Sequence, residues 1–223
     1  LVGALYGAYE LLNRLGFQWF SPDPWDAEVP AALPIPLPVI NLTQAPSFAT
    51  RGFIGGCRGD RNFLLWMARN KLNKCWQIKP EQWSRKIGIK FFGGDHDTFR
   101  RYVPPEKFFA QRPEWYGLRN GRRSNNLHVE DGDNICFSNG DVRAEIARAL
   151  VKDLIGGDHC WLDDMNLMPF DNGKWCECGP CAKMGNNMDR LLLLAHDCRQ
   201  AIRRAMAAGR LNRNVRVTVP AYH

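Results

Sequence analysis

No stretch of this 223-residue sequence approaches the ~20 consecutive apolar residues that a membrane-crossing helix needs, so no membrane span is expected. A run of roughly 5–8 basic residues, the usual nucleic-acid signature, is also missing. The net charge is +7, from 30 Lys+Arg against 23 Asp+Glu, yet the pairs Arg100-Arg101, Arg122-Arg123 and Arg203-Arg204 fall in separate segments. Phosphate backbones are recognised by a concentrated basic stripe, so nucleic acid is not an expected partner, whereas an anionic sugar suits scattered arginines. No Gly-x-Gly-x-x-Gly follows the first strand pattern, which weighs against a dinucleotide-binding fold. Eight Cys in 223 residues are too few for a disulfide scaffold. A signal peptide is absent, but the chain opens on Leu1 rather than Met, so that absence decides nothing.

The composition is that of a globular protein, with 45% hydrophobic and 24% charged residues. Residues 1–15 read as a helix, because Leu5, Tyr9, Leu12 and Leu15 share one face and Gly16 stops it. Residues 17–20 form a short apolar strand. Between residues 29 and 46 stand Pro30, Pro34, Pro36, Pro38 and Pro46, and each removes a backbone donor and biases its predecessor toward extended geometry. A domain boundary belongs there. Residues 1–40 are assigned to the end of a small α/β domain with its Pro-rich linker, and 41–223 to a second domain.

Beyond the linker, strands alternate with helices. Strand patterns lie at 51–56, 75–78, 89–92, 165–168 and 215–221, and helix patterns at 60–72, 80–87, 141–155 and 187–208. Residues 104–133 are long, polar and irregular, with a short helix at 105–110. Such alternation builds a parallel sheet from βαβ units, either as an opening barrel or as a doubly wound sheet. In both, ligands gather at the carboxyl ends of the strands. Those ends carry Gly55-Gly56, Gln77-Ile78, Asp95-His96-Asp97, Asp171-Asn172 and Tyr222-His223. Asp171 follows an apolar strand and also opens Asp-Asn-Gly, a strong turn signal, so a site carboxylate and an Asx-turn compete for it. His96 between two aspartates is either a substrate contact with a fixed tautomer or a hydrogen-bonded loop histidine. Trp175 either stacks on a ligand ring or covers the sheet end. The pair Asp163-Asp164 precedes its strand and suits a structural role.

Cys57, Cys75, Cys136, Cys160 and Cys198 stand singly in apolar surroundings and read as small core residues. Cys176, Cys178 and Cys181 are clustered. Structural zinc needs four ligands, and Cys160 or a His could complete the set, but the spacing is not a standard zinc pattern. A loop disulfide competes, and neither a metal nor another cofactor is expected.

Two segments resemble the barrel opening of family 20 β-N-acetylhexosaminidases. One is Pro46-Ser47-Phe48-Ala49-Thr50-Arg51-Gly52-Phe53, and the other is Trp66-Met67-Ala68-Arg69-Asn70-Lys71-Leu72-Asn73. The remainder resembles the domain-of-unknown-function 4838 family, related to the endo-β-N-acetylglucosaminidases of glycoside hydrolase family 163. That likeness rests on Gly3-Ala4-Leu5-Tyr6-Gly7-Ala8-Tyr9-Glu10, Pro104-Pro105-Glu106-Lys107-Phe108-Phe109 and Pro113-Glu114-Trp115-Tyr116. It continues through Cys136-Phe137-Ser138-Asn139 and Cys176-Glu177-Cys178-Gly179-Pro180-Cys181.

The resemblance implies an α/β fold in which 41–223 form the first five strands of a (β/α)8 TIM barrel. A whole barrel takes about 250 residues, so the barrel is expected to be truncated at His223. It further implies a secreted hydrolase of polysaccharides or N-glycans, extracellular or periplasmic, whose partner is a glycan or oligosaccharide containing N-acetylhexosamine. The implied mechanism is substrate-assisted and retaining, with the acetamido group as nucleophile. Asp171 and Asn172 then fall on the catalytic pair, and Arg51, Asp95, His96, Trp175, Tyr222 and His223 on substrate contacts. Asn172 departs from the family 20 pattern, where an acid stands, and an amide cannot supply that proton. A catalytically inactive glycan-binding module is therefore the alternative.

Overall fold

The computed structural model describes residues 2–31, 36–37, 39–54, 59–76, 79, 82–128 and 130–221. The chain forms two compact units, Leu1–Phe92 and Gly93–His223. The domain boundary drawn at 40/41 from the prolines falls inside the first of them.

In the first unit, helix α1 (Val2–Arg14) ends where Gly16 takes a φ of 93°, a left-handed value that costs glycine nothing. Strand β1 (Gln18–Trp19) pairs antiparallel with β2 (Ala27–Glu28). Helix α2 (Arg61–Arg69) is capped as expected by Asp60, whose carboxylate accepts from the Phe63 amide at 2.9 Å. It buries Phe63, Leu64, Met67 and Ala68, one stripe at helical spacing. Strand β3 (Lys74–Trp76), helix α3 (Gln82–Lys86) and strand β4 (Lys90–Gly93) complete a βαβ unit, with Cys75 opposite Phe91 in parallel register. The strand expected at 51–56 appears, among its described residues, as a single parallel bridge from Gly52 to Lys74. A Cβ at Gly52 would stand 1.9 Å from the Lys74 carbonyl oxygen, so only glycine permits that approach.

In the second unit, the irregular stretch is more ordered than its polarity suggests. It holds the short helices α4 (Thr98–Tyr102) and α5 (Pro105–Phe108). It also holds a hairpin of β5 (Leu118–Arg119) and β6 (Arg122–Arg123). Asn120 and Gly121 turn that hairpin with φ of 48° and 73°, the positive pair that Asn-Gly favours. Helix α6 (Gly140–Gly156) starts at Asn139, whose side chain accepts from the amides of Asp141 and Val142. Strand β7 (Asp164–Asn166), helix α7 (Gly179–Ala182), helix α8 (Asn187–Ala207) and strand β8 (Arg216–Thr218) follow. A capping box between Asn186 and Asp189 opens α8.

Val142, Ile146, Leu150 and Leu154 of α6 and Leu191, Leu194, Cys198 and Ile202 of α8 are buried in one core with Met165 and Leu167. Each such side chain contributes about 1.5–3 kcal/mol by leaving water. Strands β7 and β8 are parallel, with Met165 opposite Val217. Parallel strand pairs thus lie in both units, β3 with β4 and β7 with β8. The fold class is therefore mixed α/β with parallel strands. No helix among the described residues is long and apolar enough to cross a membrane.

Candidate functional site

The loops that follow β4 and β7 meet at the carboxyl ends of their strands. Gly94, with a φ of 98°, makes the approach possible, because a Cβ there would stand 1.9 Å from the Asn166 carbonyl oxygen. Two residues on, His96 reaches the β7 loop with both ring nitrogens. Nδ1 lies 2.6 Å from the Pro169 carbonyl oxygen, and Nε2 lies 3.0 Å from Oδ2 of Asp171. A carbonyl only accepts, so Nδ1 carries a hydrogen and donates it. In a neutral ring Nε2 would then be an acceptor facing a carboxylate. A hydrogen bond across this contact therefore depends on a proton carried by one of the two groups. The Asp171 side chain is 60% exposed, which leaves the pair open to a ligand.

The turn that competed for Asp171 is made by its neighbour. Oδ1 of Asn172 accepts from the Lys174 amide at 2.9 Å, and its Nδ2 donates to the Gly132 carbonyl at 2.7 Å. Gly173 completes the turn with a φ of 70°. Asn172 thus ties two loops together beside Asp171. The Asp95 carboxylate serves its own loop, accepting from the Asp97 amide at 3.1 Å and pairing with Arg101 at 3.3 Å. Trp175 packs on Phe137, with ring centroids 5.1 Å apart, and leans on the core. Asp164 is buried at the start of β7 and holds Arg216 of β8 through two bonds of 2.6 and 2.7 Å. This is the structural placement anticipated for the pair Asp163-Asp164.

Arg51 belongs to the first unit. Its Nε donates to the Lys71 carbonyl at 2.8 Å and a terminal nitrogen donates to the Phe48 carbonyl. It lines a cavity of about 1180 Å³ together with Tyr6, Glu10 and Lys71. Tyr222 and His223, like Gly55-Gly56 and Gln77-Ile78, lie outside the described residues.

The sequence reading missed the fourth member of the cysteine cluster. Cys136, set apart there as a core residue, is buried with Cys176, Cys178 and Cys181, and the four sulfurs all lie within 4.8 Å of one another. Cys160, weighed for that place, is exposed and outside the group. Cys178 caps α7 by accepting from the Cys181 amide at 3.4 Å. Hydrogen bonds from Cys176 and Cys181 pull the Cys136 thiol well below the usual range, and the same contact with Cys136 pushes Cys176 up.

Fold and site together define an α/β protein with a parallel sheet and an acid–imidazole pair at its strand ends. The model of a family described as a domain of unknown function, DUF4838, matches residues 21–193, and the chain belongs to that family. No curated protein and no solved structure matches the chain.

Proposed function

We propose that this protein is a glycoside-hydrolase-like enzyme acting on glycans that contain N-acetylhexosamine, with His96 and Asp171 at the reacting centre. The observation that carries the reading is the 3.0 Å contact of His96 Nε2 with the Asp171 carboxylate at the carboxyl ends of β4 and β7, where parallel α/β folds place their chemistry. The parallel pairing of β3 with β4 and of β7 with β8 supports a barrel opening built from βαβ units. In a substrate-assisted reaction the acetamido oxygen attacks the anomeric carbon. Asp171 orients the acetamide and balances the positive charge that develops on it. His96 fixes the carboxylate and holds the proton, a role that Asn172 cannot fill. Extracellular or periplasmic action is part of the same proposal, since such glycans lie outside the cytoplasm.

The second reading, a glycan-binding module without turnover, is favoured by Asn172, whose amide is occupied by loop contacts where family 20 enzymes carry an acid. Asp171→Asn separates the two. Loss of preorganised charge stabilisation typically lowers turnover about 10²–10³-fold. On the proposed reading, hydrolysis of N-acetylglucosaminide substrates falls by that factor while glycan affinity changes little. Glycan binding by the wild type with no turnover would establish the module instead.

A further inference from the structure

We propose that Cys136, Cys176, Cys178 and Cys181 bind one zinc ion as a closed, structural tetrathiolate centre. Four sulfurs each about 2.3 Å from a central zinc stand about 3.8 Å apart at the corners of a tetrahedron. Cys136 Sγ lies 3.7 Å from that of Cys178 and 3.8 Å from that of Cys181, and all four fall within 4.8 Å. A disulfide needs a sulfur separation of about 2.0 Å and a single partner, whereas Cys136 is nearly equidistant from two.

The surroundings suit thiolates. The amides of Leu118, Cys181 and Ser138 point at the sulfurs of Cys176, Cys178 and Cys181 at 3.2, 3.4 and 3.4 Å. The Arg123 guanidinium lies near Cys136, Cys176 and Cys178, so it offsets part of the net charge that four thiolates leave on a divalent ion. Among the described residues, Leu118 is a partly buried apolar side chain packed against the cluster. Four protein ligands leave no open position, which makes the centre structural rather than catalytic. It would join the segment after the β5–β6 hairpin to the chain that follows Asp171 to Trp175, across 42 residues. Binding exchanges each thiol proton still present for the metal–sulfur bond, so protons are released as zinc enters.

The test is elemental analysis and native mass spectrometry of the purified protein, prepared without chelator. The expected result is one zinc per chain, released when four cysteines react with an organomercurial. Exchange into cobalt should give the visible bands of a tetrahedral thiolate site, a readout that needs no substitution to fold. Cys136→Ser should lower zinc retention at least tenfold in a chelator competition. One iron per chain, two disulfides mapped among these cysteines, or four alkylatable thiols without metal would each overturn the assignment.

Discussion

Replacing Arg216 by Met should destabilise the protein more than replacing Asp164 by Asn, although Asp164 is the buried member of the pair. Asp164 is 1% exposed on its side chain and Arg216 is 52% exposed. The guanidinium meets the carboxylate through two bonds across neighbouring parallel strands. Arg216→Met removes both bonds and leaves the buried charge without its bidentate partner. Breaking a buried pair in this way costs roughly 3–5 kcal/mol. The half-exposed guanidinium places this case near the lower figure, about 3 kcal/mol. For a chain of this size each kcal/mol lowers the melting temperature by about 2–4 °C, which gives a fall of roughly 6–12 °C. Asp164→Asn removes the buried charge and returns Arg216 to water, so its cost is nearer that of one charge-assisted hydrogen bond, about 1.5 kcal/mol. Calorimetry of the two variants and the wild type measures both. Glycan turnover or binding by Asp164→Asn should match the wild type, since this carboxylate serves the sheet. Equal destabilisation by the two substitutions would refute the electrostatic reasoning, and lost turnover with intact stability would move the site to Asp164.

Asp153 accepts from Tyr102, from the His159 ring and from the His159 amide at 2.8, 2.6 and 3.1 Å. Burial raises its pKa, but the bonds from His159 and Tyr102 outweigh that and hold it below the ordinary value. A carboxylate depressed in the folded state adds stability above its unfolded pKa of about 3.9 and loses it as pH falls through the lower folded value. Melting temperatures between pH 6 and pH 2 should therefore drop more steeply for the wild type than for Asp153→Asn, and parallel curves would refute this. Arg51→Lys should lower the melting temperature by a few degrees, because one ammonium cannot keep both the Lys71 and the Phe48 carbonyl bonds. Unchanged stability with weakened glycan binding would instead assign Arg51 to substrate.

Much of the fold is legible because it depends on local patterns. The α6 and α8 helices follow from apolar residues at helical spacing, opened by Asn139 and the Asn186–Asp189 box. Asp60 marks the start of α2 by its type and position alone. The hairpin at Leu118–Arg123 escaped notice despite Asn120-Gly121, because its strands are two residues each, and only Leu118 among the four is apolar, so no alternation reveals them. Helix α7 has four residues, too few for any period.

The site is less legible for a different reason. Its contacts join residues far apart in the chain, and residue type alone does not select the partner. His96 stands between Asp95 and Asp97, yet the carboxylate on its Nε2 is Asp171. Asp171 and Asn172 both suit an Asx-turn, and only the acceptor of the Lys174 amide shows that Asn172 makes it. Asn172 takes the turn, and its neighbour Asp171 meets the imidazole. Cys136 has no sequence neighbour to mark it as a ligand. Its role depends on the hairpin at Leu118 and the turn at Cys178 bringing three more sulfurs to it. Both groupings flank residues 171–175, so the same short segment carries the candidate carboxylate at one end and the thiol cluster at the other. Stripping the cluster should therefore disturb Asp171 through its backbone, while altering Asp171 should leave the cluster intact.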